Sequence, residues 1–461
     1  MTNVPSSAGG SLRALLRLIL RIFFRSVEVV GAERLPLGKP MVLVANHVNG
    51  MIDPLFLLGS LPVQPKPLAK NTLWKIPVVR PFVEWAGAIP VYRRQDQVDT
   101  AQNEETFIRC HELLAQGGAI ALFPEGKSHS EPALQPLKTG LARIVLGAER
   151  RFPGLGVRIV PVGLTFDEKE TFRSRALVQV GEPIDPEPEI LLDKEDNAAA
   201  VRSLTNRVSQ ALEEVTLNYG SWEDARLIAR AAEIYGRANP DLPGRRRLAE
   251  TFPIQQAFIE GYEDLRRRFP ERVEAVASAV RAYDRLLDAL HLRDDQVAAA
   301  YPFSPVLRFT GRTLLRLLIH LPLAILGTVL NWPTYRLIGL VAPLAARREP
   351  DQVATYKLFG AVLFFPLTWI AEAWLAARWW GWWAAPAVLL LAPLAGWAAV
   401  LFHETHTAFW KEARAYLLLR TRRRVAEQLK ACRETVLEEV GKLEDLWRSG
   451  ERPLPASRTP E

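Results

Sequence analysis

His47 and Asp53 are the first residues along the chain whose types and spacing suit chemistry. They stand in VANHVNGMIDPLFLL, directly after the apolar run PMVLVAN. An imidazole oriented by a carboxylate can take a proton from a hydroxyl, a contribution of roughly 10²–10⁴ in rate. Six positions of continuous helix amount to roughly 240° of rotation, which would place the two on different faces. A turn at Asn49-Gly50 removes that objection, because Asn-Gly readily takes positive φ and can fold the carboxylate back to the ring. The plain alternative is a histidine satisfied by a backbone carbonyl beside an N-capping aspartate.

A second constellation lies in ALFPEGKSHSEPALQPLKTG. An apolar strand running into Pro124-Glu125-Gly126 puts a carboxylate and open backbone at the carboxyl edge of a sheet, where ligands bind in α/β folds. Lys127, Ser128, His129 and Lys138 add donors suited to phosphate oxygens. In WAGAIPVYRR, Arg93 or Arg94 ends an apolar run and could clamp a phosphate with two parallel donors. A polar surface turn and a plain surface arginine are the alternatives. Ser128-His129 also raises a serine nucleophile, but the chain has no G-x-S-x-G elbow. HETH at His403–His406 lacks the i,i+4 histidine pair of a zinc helix.

These residues need a scaffold, and the chain offers one from about Val27 to Pro186. PMVLVAN, AIALFP and VRIVPVGL read as buried strands, and TAQNEETFIRCHELLAQGG reads as a helix closed by Gly117 and Gly118. The alternation predicts an α/β domain over 27–186 with a mixed, largely covered sheet and flanking helices. Residues 187–310 are long, charged stretches with helical periodicity, a helical module. Before the α/β domain, Arg13, Arg17, Arg21 and Arg25 recur at four-residue spacing among Leu and Phe. Residues 1–26 therefore read as an amphipathic helix that can lie on a membrane surface, or as a domain-packed helix with a basic stripe.

Lipid enters the reading in the C-terminal third. Leu358–Ala377 and Trp382–Phe402 are each about long enough to cross a hydrocarbon core of roughly 30 Å, and the short joint between them predicts a hairpin over 358–402. Leu314–Ala346 is apolar but interrupted by Arg316, His320, Asn331, Pro333 and Arg336, which favours an interfacial or re-entrant segment over another spanning pair. The hydrophobic region is thus 311–410, and 411–461 is a basic helical tail. Arg347, Arg348 and Lys357 precede the hairpin and Arg420, Arg422, Arg423 and Arg424 follow it, so both flanks are expected on the cytoplasmic side.

Composition agrees with this division. Among 461 residues, 49% are hydrophobic and 13 are Trp. Lys and Arg number 58 against 51 acids, a net charge of +7. That balance suits an anionic membrane, a phosphorylated substrate, an acyl-CoA or a nucleic acid. Nucleic acid is disfavoured, because the arginines cluster beside apolar segments and no interleaved aromatic-basic pattern appears. Cys110 and Cys432 have no metal-ligand spacing, which points to a reducing compartment.

In this order, NHVNGMID, GAIPVYR, FPEGKSH with PLKTG, and VPVGL resemble the four motif blocks of the glycerol-phosphate and lysophosphatidate acyltransferase superfamily. Most of that superfamily has four residues between His and Asp, whereas five separate His47 from Asp53. The longer spacing resembles the fungal-type glycerol-3-phosphate/dihydroxyacetone-phosphate acyltransferases. The resemblance continues through ARLIARAAEIYG, AFIEGYEDLRRRF and LRDDQV into the hydrophobic region.

The resemblance implies acyl transfer from acyl-CoA or acyl-carrier protein to a glycerol-phosphate hydroxyl, without a covalent enzyme intermediate and without a metal or cofactor. His47 held by Asp53 would be the base. Arg93, Glu125, Gly126, Ser128 and Lys138 would form the acceptor and phosphate site, with Glu125 bonding acceptor hydroxyls. Membrane lipids would be the remaining partners of an integral membrane protein whose catalytic domain faces the cytoplasm. A lysophosphatidate or other lysophospholipid acyltransferase shares the four blocks, and a membrane-shaping protein on an inactive acyltransferase fold is the alternative from another class.

The clamp is testable directly. Arg93→Lys keeps the charge but loses the planar fork, so steady-state kinetics should record a rise in acceptor KM larger than the fall in kcat. An unchanged acceptor KM moves the role to Arg94 or Lys138.

Overall fold

The computed structural model describes residues 7–77, 79–93, 103–239, 247–299, 303–346 and 350–449. Arg94, Arg347 and Arg348 lie outside the described residues. The chain divides into two units: residues 1–222 with 247–252 and 349–355, and the remainder.

In the first unit, seven strands are found among the described residues. They are Ser26–Val30 (β1), Met41–Ala45 (β2), Lys66–Lys70 (β3), Ile89–Val91 (β4), Ala119–Leu122 (β5), Arg158–Phe166 (β6) and Arg175–Val180 (β7). They form one sheet in the order β1-β7-β6-β2-β5-β3-β4. Neighbours are parallel except the antiparallel pair β6 and β7, so the sheet is mixed. Helices Ser7–Phe23 (α1), Ile52–Gly59 (α2), Arg80–Trp85 (α3), Asn103–Ala115 (α4), Gly140–Arg151 (α5), Glu187–Asp193 (α6) and Asn197–Glu213 (α7) flank it.

The central strand explains the arrangement. All five residues of β2 are buried, as an unbroken apolar run between two covered faces requires. The core on one face joins Val42 and Val44 of β2 and Ile120 and Leu122 of β5 to Ile144 and Val145 of α5. Leu204, Val208 and Leu212 of α7 belong to the same core. The α/β unit therefore continues past Pro186, where the sequence placed its end. The helical period of α6 and α7 is as predicted, but their apolar faces are spent on the sheet.

Helix α1 packs Leu12 and Leu16 against Leu58 of α2. It also leaves Leu15, Leu18 and Ile22 exposed beside Arg17 and Arg21.

In the second unit lie Trp222–Ala238 (α8) after its first residue, most of Leu248–Arg268 (α9), Pro270–Leu290 (α10), Asp294–Ala298 (α11), Phe303–Ala345 (α12), Val353–Trp380 (α13) after Thr355, Ala384–Thr421 (α14) and Arg423–Ser449 (α15). Val276, Val280, Tyr283 and Leu287 of α10 pack with Leu429, Val436 and Val440 of α15. Asp294 is fully buried there, and it is matched by Arg237 at 3.1 Å, Arg433 at 2.9 Å and the Tyr283 hydroxyl at 3.0 Å. Burial of that carboxylate is tolerable only with such partners.

Among the described residues, three helices are long and apolar enough to cross a membrane: Arg308–Ala345, Val353–Trp380 and Ala384–Thr421. One expectation is corrected here: residues 314–345 are not re-entrant but part of one 43-residue helix that runs through Pro322, Pro333 and Pro343. Helices α13 and α14 follow one another across the short joint Gly381–Trp383, and the chief neighbour of α14 is α12. Small residues decide the pairing by letting the two backbones approach. A Cβ on Gly327 would lie 1.9 Å from the Ala395 carbonyl oxygen. Asn331 then donates to the carbonyls of Gly327 and Ala392 and accepts from Trp369 Nε1 at 2.8 Å, tying all three helices.

Gly327→Ala should therefore force α12 and α14 apart, a loss of about 1–3 kcal/mol read as a lower Tm in detergent. Gly339→Ala, with nothing within 4 Å of its added Cβ, should leave Tm unchanged or raised.

Candidate active site

Parallel pairing brings the chemistry together. Val44 of β2 stands opposite Leu122 of β5. The segments leaving both strands, which begin with Asn46-His47 and Phe123-Pro124-Glu125, therefore emerge side by side at the carboxyl edge. Strand β6 runs parallel to β2 on its other side, and β4 parallel to β3, so the segments after Phe166 and Val91 leave at that same edge.

The His47–Asp53 pair is formed by the turn between them. Gly50 has φ 49°, and Asp53 sits in the first turn of α2. Asp53 Oδ2 accepts a hydrogen bond from the Asn49 amide at 2.7 Å and lies 2.9 Å from His47 Nδ1. The carboxylate is fully buried, while the imidazole keeps about a fifth of its side-chain surface exposed. The ring stacks on Phe123 with centroids 4.1 Å apart, which fixes its second orientation axis. A carboxylate on Nδ1 leaves Nε2 as the nitrogen free to take a proton.

Below this pair, Asn46 spans β2 and β6, donating to and accepting from the Leu164 backbone at 3.0 and 2.7 Å. Glu125 Oε1 accepts the His47 amide at 2.7 Å, and Oε2 accepts the Gln135 amide at 2.8 Å and meets His129 Nε2. In addition, the His129 amide donates to the His47 carbonyl at 3.0 Å.

The remaining residues lie around the rim. Arg93 Nη1 donates to the Gly126 carbonyl at 2.9 Å. Gly126 has φ 78° and donates its amide to Phe123. Lys138 is exposed, and its amide donates to the Pro124 carbonyl at 2.7 Å. Ser128 Oγ donates to Asp351 Oδ2 and accepts from Gln352 Nε2 at 3.1 Å. Among the described residues, no cluster of three metal-ligand side chains occurs.

This geometry can be set against known proteins. A family model described as Acyltransferase matches residues 26–165, and one described as Glycerol-3-phosphate acyltransferase 2 C-terminal domain matches residues 235–446. The chain thus carries an Acyltransferase domain and, after it, a Glycerol-3-phosphate acyltransferase 2 C-terminal domain.

Among curated relatives, glycerol-3-phosphate O-acyltransferase 2 of Saccharomyces cerevisiae is 29% identical over 58% of this chain and 37% of its own length. Glycerol-3-phosphate O-acyltransferase 1 of the same yeast is 28% identical over 57% of this chain and 36% of its own. The chain thus spans little more than a third of these relatives. A chloroplastic 1-acyl-sn-glycerol-3-phosphate acyltransferase of Brassica napus is 30% identical, over only 31% of this chain and 38% of its own. The crystal structure of a 1-acyl-sn-glycerophosphate acyltransferase from Thermotoga maritima covers 47% of this chain and 84% of its own, at 20% identity and a TM-score of 0.34.

Within this site, one sequence assignment needs correction. Glu125 was expected to bond acceptor hydroxyls, but it is buried and both its oxygens are already engaged by the protein. It binds the turn after β2 to the turn after β5, which makes it a positioning residue. His47, Asp53, Ser128, Gly126 and Arg93 are brought to one edge as expected.

Two contributors fall outside the four motif blocks. Lys169, after β6, donates Nζ to the Val48 carbonyl at 2.9 Å and to Ser130 Oγ at 2.7 Å, and its carbonyl accepts from Asn49 Nδ2 at 3.1 Å. Burial lowers its pKa, while Asp351 and Asp53 pull it back up. Asp351 and Gln352 arrive from the 3-10 turn between α12 and α13, and Thr355 from the first turn of α13. Neither contribution has a sequence signal, since an isolated Lys after a strand and an Asp-Gln pair near a helix start are ordinary surface patterns.

Glu125→Gln preserves shape but turns one acceptor oxygen into a donor. At least one buried partner is then orphaned, for about 1–3 kcal/mol of stability, and kcat should fall further than acceptor KM rises. A rise in acceptor KM alone, with Tm and kcat intact, would return Glu125 to the acceptor.

Proposed function

We propose that this chain is a membrane-bound O-acyltransferase that moves a fatty acyl group from acyl-CoA or acyl-carrier protein to a hydroxyl of glycerol 3-phosphate or dihydroxyacetone phosphate. The observation that carries the chemistry is the buried Asp53 carboxylate 2.9 Å from His47 Nδ1, with the ring itself partly open. The matching C-terminal family model and the yeast relatives support a glycerol-phosphate acceptor over a lysophosphatidate. An intact His47–Asp53 pair speaks against an inactive scaffold.

In the proposed reaction, His47 Nε2 takes the acceptor hydroxyl proton as that oxygen attacks the thioester carbonyl. The C–S bond then breaks, and the thiolate leaves with the proton returned by the imidazolium. Asp53 stabilises the imidazolium and keeps the tautomer that exposes Nε2 as base. The scheme uses no metal or prosthetic group. Arg93, Ser128 and Lys138 supply donors around the acceptor, with Gly126 leaving its backbone open. The thioester donors and phosphorylated acceptors are water-borne whereas the product is a lipid. A catalytic unit on the cytoplasmic face of a membrane therefore suits both, and three long apolar helices support the anchoring.

The test uses full-length protein in membranes with labelled palmitoyl-CoA, offering glycerol 3-phosphate, dihydroxyacetone phosphate and lysophosphatidate in turn. Label should pass to the first two in preference to the third, and His47→Ala should remove at least about nine-tenths of turnover while Tm is retained. Preference for lysophosphatidate would move the activity to the second glycerol position. Full turnover by the alanine variant would remove His47 as base.

A further inference from the structure

The linker between α12 and α13 is seated on the catalytic turn by contacts that the reaction scheme does not use. Its short 3-10 turn, Pro350–Gln352, delivers Asp351 to Ser128 Oγ. Gln352 Nε2 donates to both Ser128 Oγ and Asp351 Oδ2, at 3.1 and 3.2 Å. Three residues on, Thr355 Oγ1 accepts the Met51 amide at 3.1 Å. Gly50 has no side chain where the linker lies against it. A Cβ there would stand 2.5 Å from Gln352 Oε1 and 2.8 Å from Thr355 Oγ1.

Asp351 is an unusual occupant of that position. It is 8% exposed, yet among the described residues it forms no ion pair within 4 Å. A carboxylate withdrawn from water and held by a hydroxyl and an amide gains little over its hydrated state, so it is held weakly. Its surroundings are those of an anion site: the Ser128 hydroxyl beside it, the Lys169 ammonium near enough to respond to its charge, and the exposed Lys127 next to Ser128. A phosphate could not share Ser128 with this carboxylate, because two unscreened anions a few ångströms apart repel.

We propose that Asp351 is an internal occupant of the acceptor's phosphate subsite at Ser128, which an acceptor enters only by exchanging its phosphate for this carboxylate. Asp351 is thereby a specificity residue. A dianionic phosphate, with more charge and more acceptor oxygens, displaces it, and an uncharged glycerol does not. Displacement also lifts Thr355 from the Met51 amide, so acceptor entry loosens the turn before α13 and the helix's first turn. The inference rests on Ser128 belonging to the acceptor site.

The experiment uses the full-length chain in detergent. Asp351→Asn keeps the shape and the hydroxyl contact but removes the charge. It should lower the KM for glycerol 3-phosphate up to about tenfold, leave the KM for palmitoyl-CoA unchanged, and raise turnover of uncharged glycerol. In the unaltered protein, saturating glycerol 3-phosphate, and inorganic phosphate alone, should speed hydrogen exchange at the Met51 amide and across residues 351–355. A raised KM for glycerol 3-phosphate in the variant, or slower or unchanged exchange in the unaltered protein, would make Asp351 a fixed wall and overturn the inference. Ser128→Ala separates the two levels: an unchanged acceptor KM there means that the acceptor does not use Ser128, and the inference falls with that reading.

Discussion

The Glu125 carboxylate holds two otherwise independent turns in one geometry, and the site depends on that bond set. One oxygen takes the His47 amide, and the other takes the Gln135 amide beside His129. The turns after β2 and β5 are adjacent because the strands are parallel neighbours, but adjacency alone leaves loops free to move. A buried carboxylate that accepts backbone amides is costly to leave unmatched, so it locks the turns together. His47 is consequently placed by its own main chain, and Asp53 and Phe123 have only to orient its ring.

That division of labour accounts for the mixture of rigid and exchangeable contacts. The contacts beneath the imidazole are buried: Asn46 to the Leu164 backbone, Glu125 to two amides, and Asp53 Oδ2 to the Asn49 amide, with Asp53 Oδ1 left without a hydrogen-bond partner. Those above it are made by longer or more exposed groups, namely Arg93, Ser128, Lys138 and the linker residues. A base must keep one orientation through the reaction, whereas an acceptor must come and go. The structure puts its most deeply buried polar groups under the first requirement.

In the second unit, the polar groups that do the ordering differ. Asp294, with two arginines and a tyrosine, fixes α8, α10, α11 and α15. Among the apolar helices the same task falls to Gly327, Asn331 and Trp369, where close backbone approach replaces the hydrophobic effect that lipid would not supply. Prolines within α12, α13 and α14 do not break these helices.

The amino-acid sequence by itself marked β2, β5 and β6, the helical periods, the apolar segments and a turn that allows His47 to meet Asp53. Each of these is a local property, set by side-chain alternation, by turn residues such as Asn49-Gly50, or by length. It also placed Arg93, Gly126 and Ser128 at one edge, because strand carboxyl ends converge in a parallel sheet. Only the tertiary structure decided which groups are consumed in holding the site. Glu125 looks like a substrate ligand until its two oxygens are seen to be taken by amides that lie 78 and 10 positions away. Likewise, nothing local says that α6 and α7 cover the sheet, that α14 lies along α12 rather than α13, or that Asp351 reaches Ser128 across 223 positions. Such choices depend on which apolar faces and which backbone surfaces fit together, and a single helix or turn carries no record of its partner.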